Sequence, residues 1–193
     1  RLGDASDEAL AAHLDRTAVA GLTGIIVGEA NSVVGLITLG DTARPEARQI
    51  VAQLHALGIA QVAILTGDAR GPAHAIARET GIDEVYAELL PEQKVEAIER
   101  LVAQHGRVAM VGDGVNDAPA MARAGLGIAM GAIGSDAAIE TADIALMQDD
   151  LSRLPWLIRH SRKTLSVIRQ NIGFSLAVKL IFAGLTPFGM ASL

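Results

Sequence analysis

The sequence predicts an α/β protein: a parallel sheet with flanking helices, followed by the start of a transmembrane helical segment. Three observations carry that prediction. Half of the residues are hydrophobic but only 3% are aromatic, so Ala, Val, Leu and Ile must build the core; that make-up suits a helix-covered parallel sheet better than an all-β sandwich. Short apolar runs alternate with helical stretches from residue 41 to about residue 150, the pattern of a parallel sheet covered on both faces. Finally, residues 171–193 carry one charge, Lys179, in an otherwise apolar run. At ~1.5 Å rise per residue such a run is long enough for a hydrocarbon core of ~30 Å.

Taken in order, residues 1–40 open with a helix-like stretch. Two β-rich runs follow, 23–27 and 33–38, with Gly28-Glu29-Ala30-Asn31-Ser32 as a hairpin turn between them. The next apolar runs, 61–65, 108–111, 126–130 and 143–147, are predicted strands, and 45–56, 71–80, 91–104 and 119–124 are predicted helices. Residues 151–170 form a basic connector with Arg153, Arg159, Arg162, Lys163 and Arg169. That cluster is expected to hold the N-terminal end of the following span on the cytoplasmic side. The alternative for 171–193 is a buried helix of a soluble protein. The chain begins at Arg1 rather than Met and stops within an apolar stretch, so both ends are expected to be truncations.

The net charge of −6 argues against a nucleic-acid partner. The absence of cysteine excludes disulfides and thiolate metal sites within these 193 residues.

Acidic residues directly follow three of the apolar runs. Asp41 follows the second, Thr66-Gly67-Asp68 follows 62–65, and Gly112-Asp113-Gly114-Val115-Asn116-Asp117 follows 108–111. Loops at the carboxyl ends of parallel strands line the ligand crevice. Three acidic loops converging there call for a cation, and Mg²⁺ fits because it takes carboxylate and amide oxygens and leaves room for water and phosphate. Gly67 and Gly112 permit close backbone approach. Lys94, early in the 91–104 helix, offers a positive charge to a phosphoryl group, and Thr66 offers a hydroxyl and backbone donors. Alone, a Thr-Gly-Asp triplet is ordinarily a turn and a helical lysine ordinarily a solvated residue. Three metal-capable side chains within residues 113–117 are a much stronger signal.

The run 110–120, Met-Val-Gly-Asp-Gly-Val-Asn-Asp-Ala-Pro-Ala, resembles the hinge signature of P-type ATPases, within the haloacid dehalogenase superfamily. Thr66-Gly67-Asp68 resembles a second phosphorylation-domain motif of that family. Asp41-Thr42-Ala43-Arg44-Pro45-Glu46-Ala47 is similar to the segment where the nucleotide domain rejoins the phosphorylation domain. The resemblance implies a haloacid dehalogenase-like, Rossmann-like fold with Mg²⁺ and ATP as cofactors. Asp113 would be the carboxylate on Mg²⁺, with Asn116 and Asp117 orienting the phosphoryl group and the metal's surroundings. Thr66 would contact phosphate oxygens, Asp68 would support its loop, and Lys94 would neutralise the transferring group. Asp41 and Arg44 would act at the hinge and near the nucleotide. The implied divisions are 1–40, the end of the nucleotide-binding domain; 41–150, the phosphorylation domain; 151–170, a connector; and 171–193, the start of a membrane helix.

The family's nucleophile, an aspartate in Asp-Lys-Thr-Gly-Thr, does not occur here, nor does its Thr-Gly-Glu dephosphorylation motif. Both are expected upstream, so the chain alone is expected to be inactive. Residues 171–179 are similar to the seventh helix of the zinc, cadmium and lead exporting subgroup, where an intramembrane lysine accompanies a later aspartate. Lys179 would be a countercharge that helps expel a divalent cation; the blander alternative is a lysine that snorkels to the interface. Arg169-Gln170-Asn171 stands where the copper subgroup resembles Tyr-Asn, and Pro187 does not restore the copper pattern. The implied partners are a divalent heavy-metal cation, the lipid bilayer and the rest of the polypeptide, with residues 1–170 cytoplasmic in a multi-pass membrane protein. The alternatives are a soluble phosphatase of the same superfamily, a copper or potassium pump, and a non-catalytic module sensing Mg²⁺ or phosphate.

Overall fold

The computed structural model describes residues 4–19, 22–29, 32–40, 42–113, 116–131 and 140–185. It divides into two units, Arg1–Ser152 and Arg153–Leu193.

The first unit opens with α1 (Asp4–Val19) and an antiparallel hairpin of β1 (Thr23–Glu29) and β2 (Ser32–Leu39). The pairing runs from Thr23↔Leu39 to Glu29↔Ser32 and slips once, between Val27 and Gly28. This is the hairpin the alternating runs predict, but Gly28, Glu29 and Ser32, expected in the turn, belong to the strands; Ala30 and Asn31 lie outside the described residues.

Helices and strands then alternate: α2 (Ala47–Ala56), β3 (Ala63–Leu65), α3 (Arg70–Thr80), β4 (Glu84–Tyr86), α4 (Pro91–His105), β5 (Ala109–Gly112), α5 (Ala118–Met121), β6 (Leu126–Met130) and β7 (Ile144–Leu146). All their pairings are parallel, in two ladders, β3-β4 and β5-β6-β7. The register runs Ala63↔Glu84 to Leu65↔Tyr86 in the first, and Ala109↔Leu126 and Ile128↔Ile144 open the two pairings of the second. β4 is the strand that the apolar pattern does not predict, because its three residues include Glu84 and make no hydrophobic run.

Element ends follow local chemistry. α3 stops at Gly81, which takes φ 79°, a left-handed conformation that costs a residue with a Cβ. α4 starts at Pro91, whose missing N–H costs nothing in the first turn. There Gln93 Oε1 accepts the Leu90 N–H at 2.9 Å. Two carboxylates fasten strand starts to their neighbours. Asp83 Oδ2 accepts the Val62 N–H at 2.7 Å, and Asp143 Oδ2 accepts the Gly127 N–H at 2.8 Å.

The core centres on α4. Ile98 and Leu101 pack with Met110 of β5 and with Ala120 and Met121 of α5. Leu65 of β3 and Tyr86 of β4 lie against the same cluster, so one helix joins both ladders into one core. Burial is carried by Ala, Val, Leu and Ile, as the scarcity of aromatics requires, but Met110 and Met121 fill the centre. Unbranched thioethers suit an irregular space between two short ladders.

The described residues of the second unit form one helix, α6 (Arg153–Leu185), whose 33 residues span roughly 50 Å at ~1.5 Å per residue. It runs unbroken through residue 171, where the composition changes from basic to apolar. Trp156 and His160, one turn apart, stack with ring centroids 4.9 Å apart. Ile172, Phe174, Leu176, Leu180, Ile181 and Phe182 are all more than half exposed. By length and composition α6 is a candidate membrane span. Pro187 lies outside the described residues.

Tyr86 is the only tyrosine in the chain, which makes its ionisation readable by absorbance. Its hydroxyl donates to Glu84 Oε2; that bond first, then burial and the carboxylate's charge, hold the phenol above its ordinary value of 10.0. The raised value means that the interaction stabilises the fold fully below pH 10.0 and is lost as pH rises through the folded value. The midpoint of phenolate absorbance should therefore lie above 10.0 and move down in Glu84→Gln; a titration unmoved by that substitution contradicts the assignment.

Candidate functional site

The structure gathers residues at the carboxyl ends of β3, β4 and β5. After β3, Thr66 and Asp68 form a closed pair: the Thr66 hydroxyl donates to Asp68 Oδ2 at 2.6 Å, and the Asp68 N–H donates to Thr66 Oγ1 at 3.1 Å. The Thr66 N–H donates to the Tyr86 carbonyl at 2.9 Å and the Thr66 carbonyl accepts the Leu89 N–H at 3.0 Å. A Cβ placed on Gly67 would stand 3.3 Å from the Leu89 carbonyl oxygen, so the two loops run close together. The Thr66 hydroxyl proton is directed at Asp68, and the Thr66 and Asp68 N–H groups are both engaged within the fold.

After β5 the chain reaches Gly112 and then Asp113, whose side chain is exposed at the strand's carboxyl end. Gly114 and Val115 lie outside the described residues; Asn116 beyond them is exposed. Asp117 turns back. Its Oδ1 accepts a hydrogen bond from Lys94 Nζ at 2.8 Å, and both side chains are less than one-fifth exposed, 18% for Lys94 and 19% for Asp117. An ion pair this sheltered from water is a strong tether between α4 and the β5 loop. Gly112 makes it possible, because a Cβ there would stand 2.8 Å from both Cβ and Oδ2 of Asp117. The requirement at Gly112 is space.

The predicted residues do not all meet. Thr66, Gly67 and Asp68 form one loop, Asp113, Asn116 and Asp117 another, and α4 with Lys94 links them, since Leu89, whose N–H bonds to Thr66, lies five residues before Lys94. Arg44 lies elsewhere, on Asp149 after β7. Its two terminal nitrogens donate to the Asp149 carbonyl at 2.9 Å and to Oδ2 at 2.6 Å. The Asp149 hydrogen bond, then its charge, holds the guanidinium above its ordinary range. Asp41 lies outside the described residues. Lys179 is on α6, in the second unit. Sequence reasoning missed Asp149 and Glu88, which contact Arg44 and the Thr66 loop. Neither is flagged by spacing, because each acts through a pairing that only the fold creates.

Chemically the arrangement sets an exposed carboxylate and a held ammonium at the carboxyl ends of parallel strands. Among the described residues no three Asp, Glu or His side chains cluster as a metal cage. Mg²⁺ requires no such cage: it is commonly held by one or two carboxylates plus water and phosphate oxygens. Asp113 fits that pattern.

Residues 3–125 match the haloacid dehalogenase-like hydrolase family, more than half of the chain, and the chain belongs to that family. Within it the chain is homologous to metal-transporting P-type ATPases. It is 50% identical over 161 residues to a probable cadmium-transporting ATPase of Staphylococcus aureus, covering 83% of this chain and 20% of that protein. It is 46% identical over 184 residues to probable cation-transporting ATPase G of Mycobacterium tuberculosis, covering 95% of this chain and 24% of that one. The crystal structure of a zinc-transporting PIB-type ATPase in the E2.Pi state superposes with a TM-score of 0.82 at 46% identity, covering 96% of this chain and 30% of that one. The chain thus spans between 20% and 24% of the length of these two relatives.

Gly112→Ala tests the space argument. The added methyl should push Asp117 off Lys94 and lower the unfolding midpoint, whereas a crystal structure of the variant with the 2.8 Å bond intact contradicts it.

Proposed function

We propose that this chain is part of an ATP-driven exporter of divalent heavy-metal cations of the zinc, cadmium and lead type, working through an aspartyl-phosphate whose nucleophile lies outside residues 1–193. The observation that carries this reading is the Lys94–Asp117 tether beside Asp113, in a chain homologous to cadmium- and zinc-transporting P-type ATPases.

P-type ATPases and haloacid dehalogenase-like hydrolases use ATP and Mg²⁺. Asp113 would hold Mg²⁺, which when bound neutralises phosphate charge and orients phosphoryl oxygens. Lys94, held by Asp117, presents its ammonium to the transferring phosphoryl group, and a fixed cation there lowers the cost of the charge that develops. Asn116 and Asp117 orient the groups around the metal, Thr66 contacts phosphate oxygens, and Gly67 allows close approach of the backbone. Asp68 keeps the Thr66 loop closed. Asp41 and Arg44 act where the nucleotide domain rejoins the phosphorylation domain, and the Asp149 contact anchors Arg44 to the latter.

In this reading residues 1–40 end the nucleotide-binding domain, 41–150 form the phosphorylation domain, 151–170 connect, and 171–193 begin a membrane helix. Residues 1–170 are cytoplasmic in a multi-pass protein. Lys179 acts as a countercharge on the metal's path, since an ionisable group at membrane depth is costly to keep without a use. A soluble phosphatase is disfavoured by α6, whose apolar half is exposed.

The experiment uses the intact protein in membrane vesicles. Asp113→Ala should abolish Mg²⁺-dependent phosphoenzyme formation from ATP, and unchanged phosphorylation would remove Asp113 from its role. Lys179→Ala should impair zinc-stimulated turnover while phosphoenzyme still forms. Turnover equal to that of the parent would leave Lys179 as an interfacial anchor.

A further inference from the structure

We infer that Glu88 is a positioning residue of the phosphoryl-transfer site: it locks the Thr66-Gly67-Asp68 loop to the start of α4 and so sets that loop in register with Lys94. The inference rests on the proposed function for its chemistry and on three contacts and one backbone angle for its geometry.

Among the described residues, Glu88 is the one non-glycine residue at positive φ, 59°. Glycine would take that conformation without steric cost, so a side chain there needs a compensating use. The backbone supplies one. In an extended strand successive N–H groups point to opposite sides, but a left-handed residue turns the chain so that neighbouring N–H groups face one way. The Glu88 N–H donates to the Asp68 carbonyl at 2.9 Å and the Leu89 N–H to the Thr66 carbonyl at 3.0 Å. Both ends of the triplet are therefore gripped from one side, beyond the point where the β3-β4 ladder stops at Leu65↔Tyr86.

The carboxylate supplies the other use. Glu88 Oε2 accepts the Arg70 Nε–H at 3.0 Å, and Arg70 is the first residue of α3, two positions beyond Asp68. The triplet is thus held from the β4 side and at the start of the helix that follows it. Arg70 and Glu88 neutralise each other, so the latch adds no net charge near a phosphate. Leu89 and Leu90 then lead directly into Pro91 of α4. A shift at Glu88 would move the Thr66 loop relative to Lys94 while leaving both folded.

Glu88 touches no reacting atom in this scheme, so its removal should lower the rate of phosphoryl transfer without weakening nucleotide binding. The test measures metal-stimulated ATPase activity and orthovanadate inhibition of the full-length protein. In Glu88→Ala, kcat should fall and vanadate affinity weaken by about three- to tenfold, with KM for ATP changed by less than about twofold. Glu88→Gln should recover most of the loss, because its amide oxygen still accepts from Arg70. Arg70→Ala should reproduce the loss, and the double variant should be no worse than either single one. Glu88→Gly relieves the backbone and removes the carboxylate, so it reads the latch even if Glu88→Ala folds poorly. Parent-like kcat and vanadate affinity, a raised KM at unchanged kcat, or additive losses in the double variant would each overturn the assignment. A parent protein without metal-stimulated ATPase activity would overturn the proposed function and this inference together, whereas an active parent with silent variants would overturn the inference alone.

Discussion

The ion pair between Lys94 and Asp117 organises the first unit, because it links the helix at the centre of the core to the loop that carries the acidic signature. Its energy lies between two limits. Exposed pairs contribute ~0–1 kcal/mol, while breaking a fully buried pair costs ~3–5 kcal/mol because one charge is left unpaired. At 18% and 19% exposure this pair sits toward the second limit. The rest of the core is arranged to permit it. Ile98 and Leu101 seat α4 against Met110 and Met121, which fixes where the Lys94 backbone lies, and Gly112 leaves the space that Asp117 fills. Packing and charge therefore constrain the same two residues.

The structure also separates two kinds of ionic contact. Arg44–Asp149 and Arg70–Glu88 are exposed, at 43% and 60% in the first pair and 74% and 53% in the second. Neither adds much to global stability. Each instead restrains a local geometry, joining segments 105 residues apart in one case and 18 in the other. Weak contacts of this kind suit a segment that must hold one geometry yet be able to change it, since breaking them costs little.

Much of this was legible in the sequence. The alternation of apolar runs with helical stretches located four of the five parallel strands and the four helices α2 to α5. The Gly112–Asp117 run marked the candidate site because so many oxygen ligands in so few residues have few structural uses. What escaped was tertiary. β4 has no apolar pattern, since Tyr86 is seated by α4 and Glu84 by the Tyr86 hydroxyl. Arg44 was expected near a nucleotide, and nothing in its neighbourhood of the sequence points to Asp149. Glu88 reads as an ordinary loop residue; its φ of 59° becomes visible only when the backbone is seen. Local signals report what a segment can do alone, and these residues act through segments far away in the chain.

Charge distribution adds a further constraint. Residues 153–193 contain six Lys or Arg and no Asp or Glu; residues 1–152 contain ten and twenty-two, so the net −6 divides into +6 and −12. A region at −12 repels a polyphosphate at long range, although salt confines that repulsion to within ~10 Å. Attraction must then come from cations already placed inside the site. On the proposed function those are Mg²⁺ on Asp113 and the ammonium of Lys94. That demand explains the pairing with Asp117. A lysine free to swing would be drawn to any of the surrounding carboxylates, whereas one held at 2.8 Å by Asp117 keeps its remaining N–H donors aimed from a fixed point. The partner that costs Lys94 part of its charge is thus what makes the rest of that charge usable.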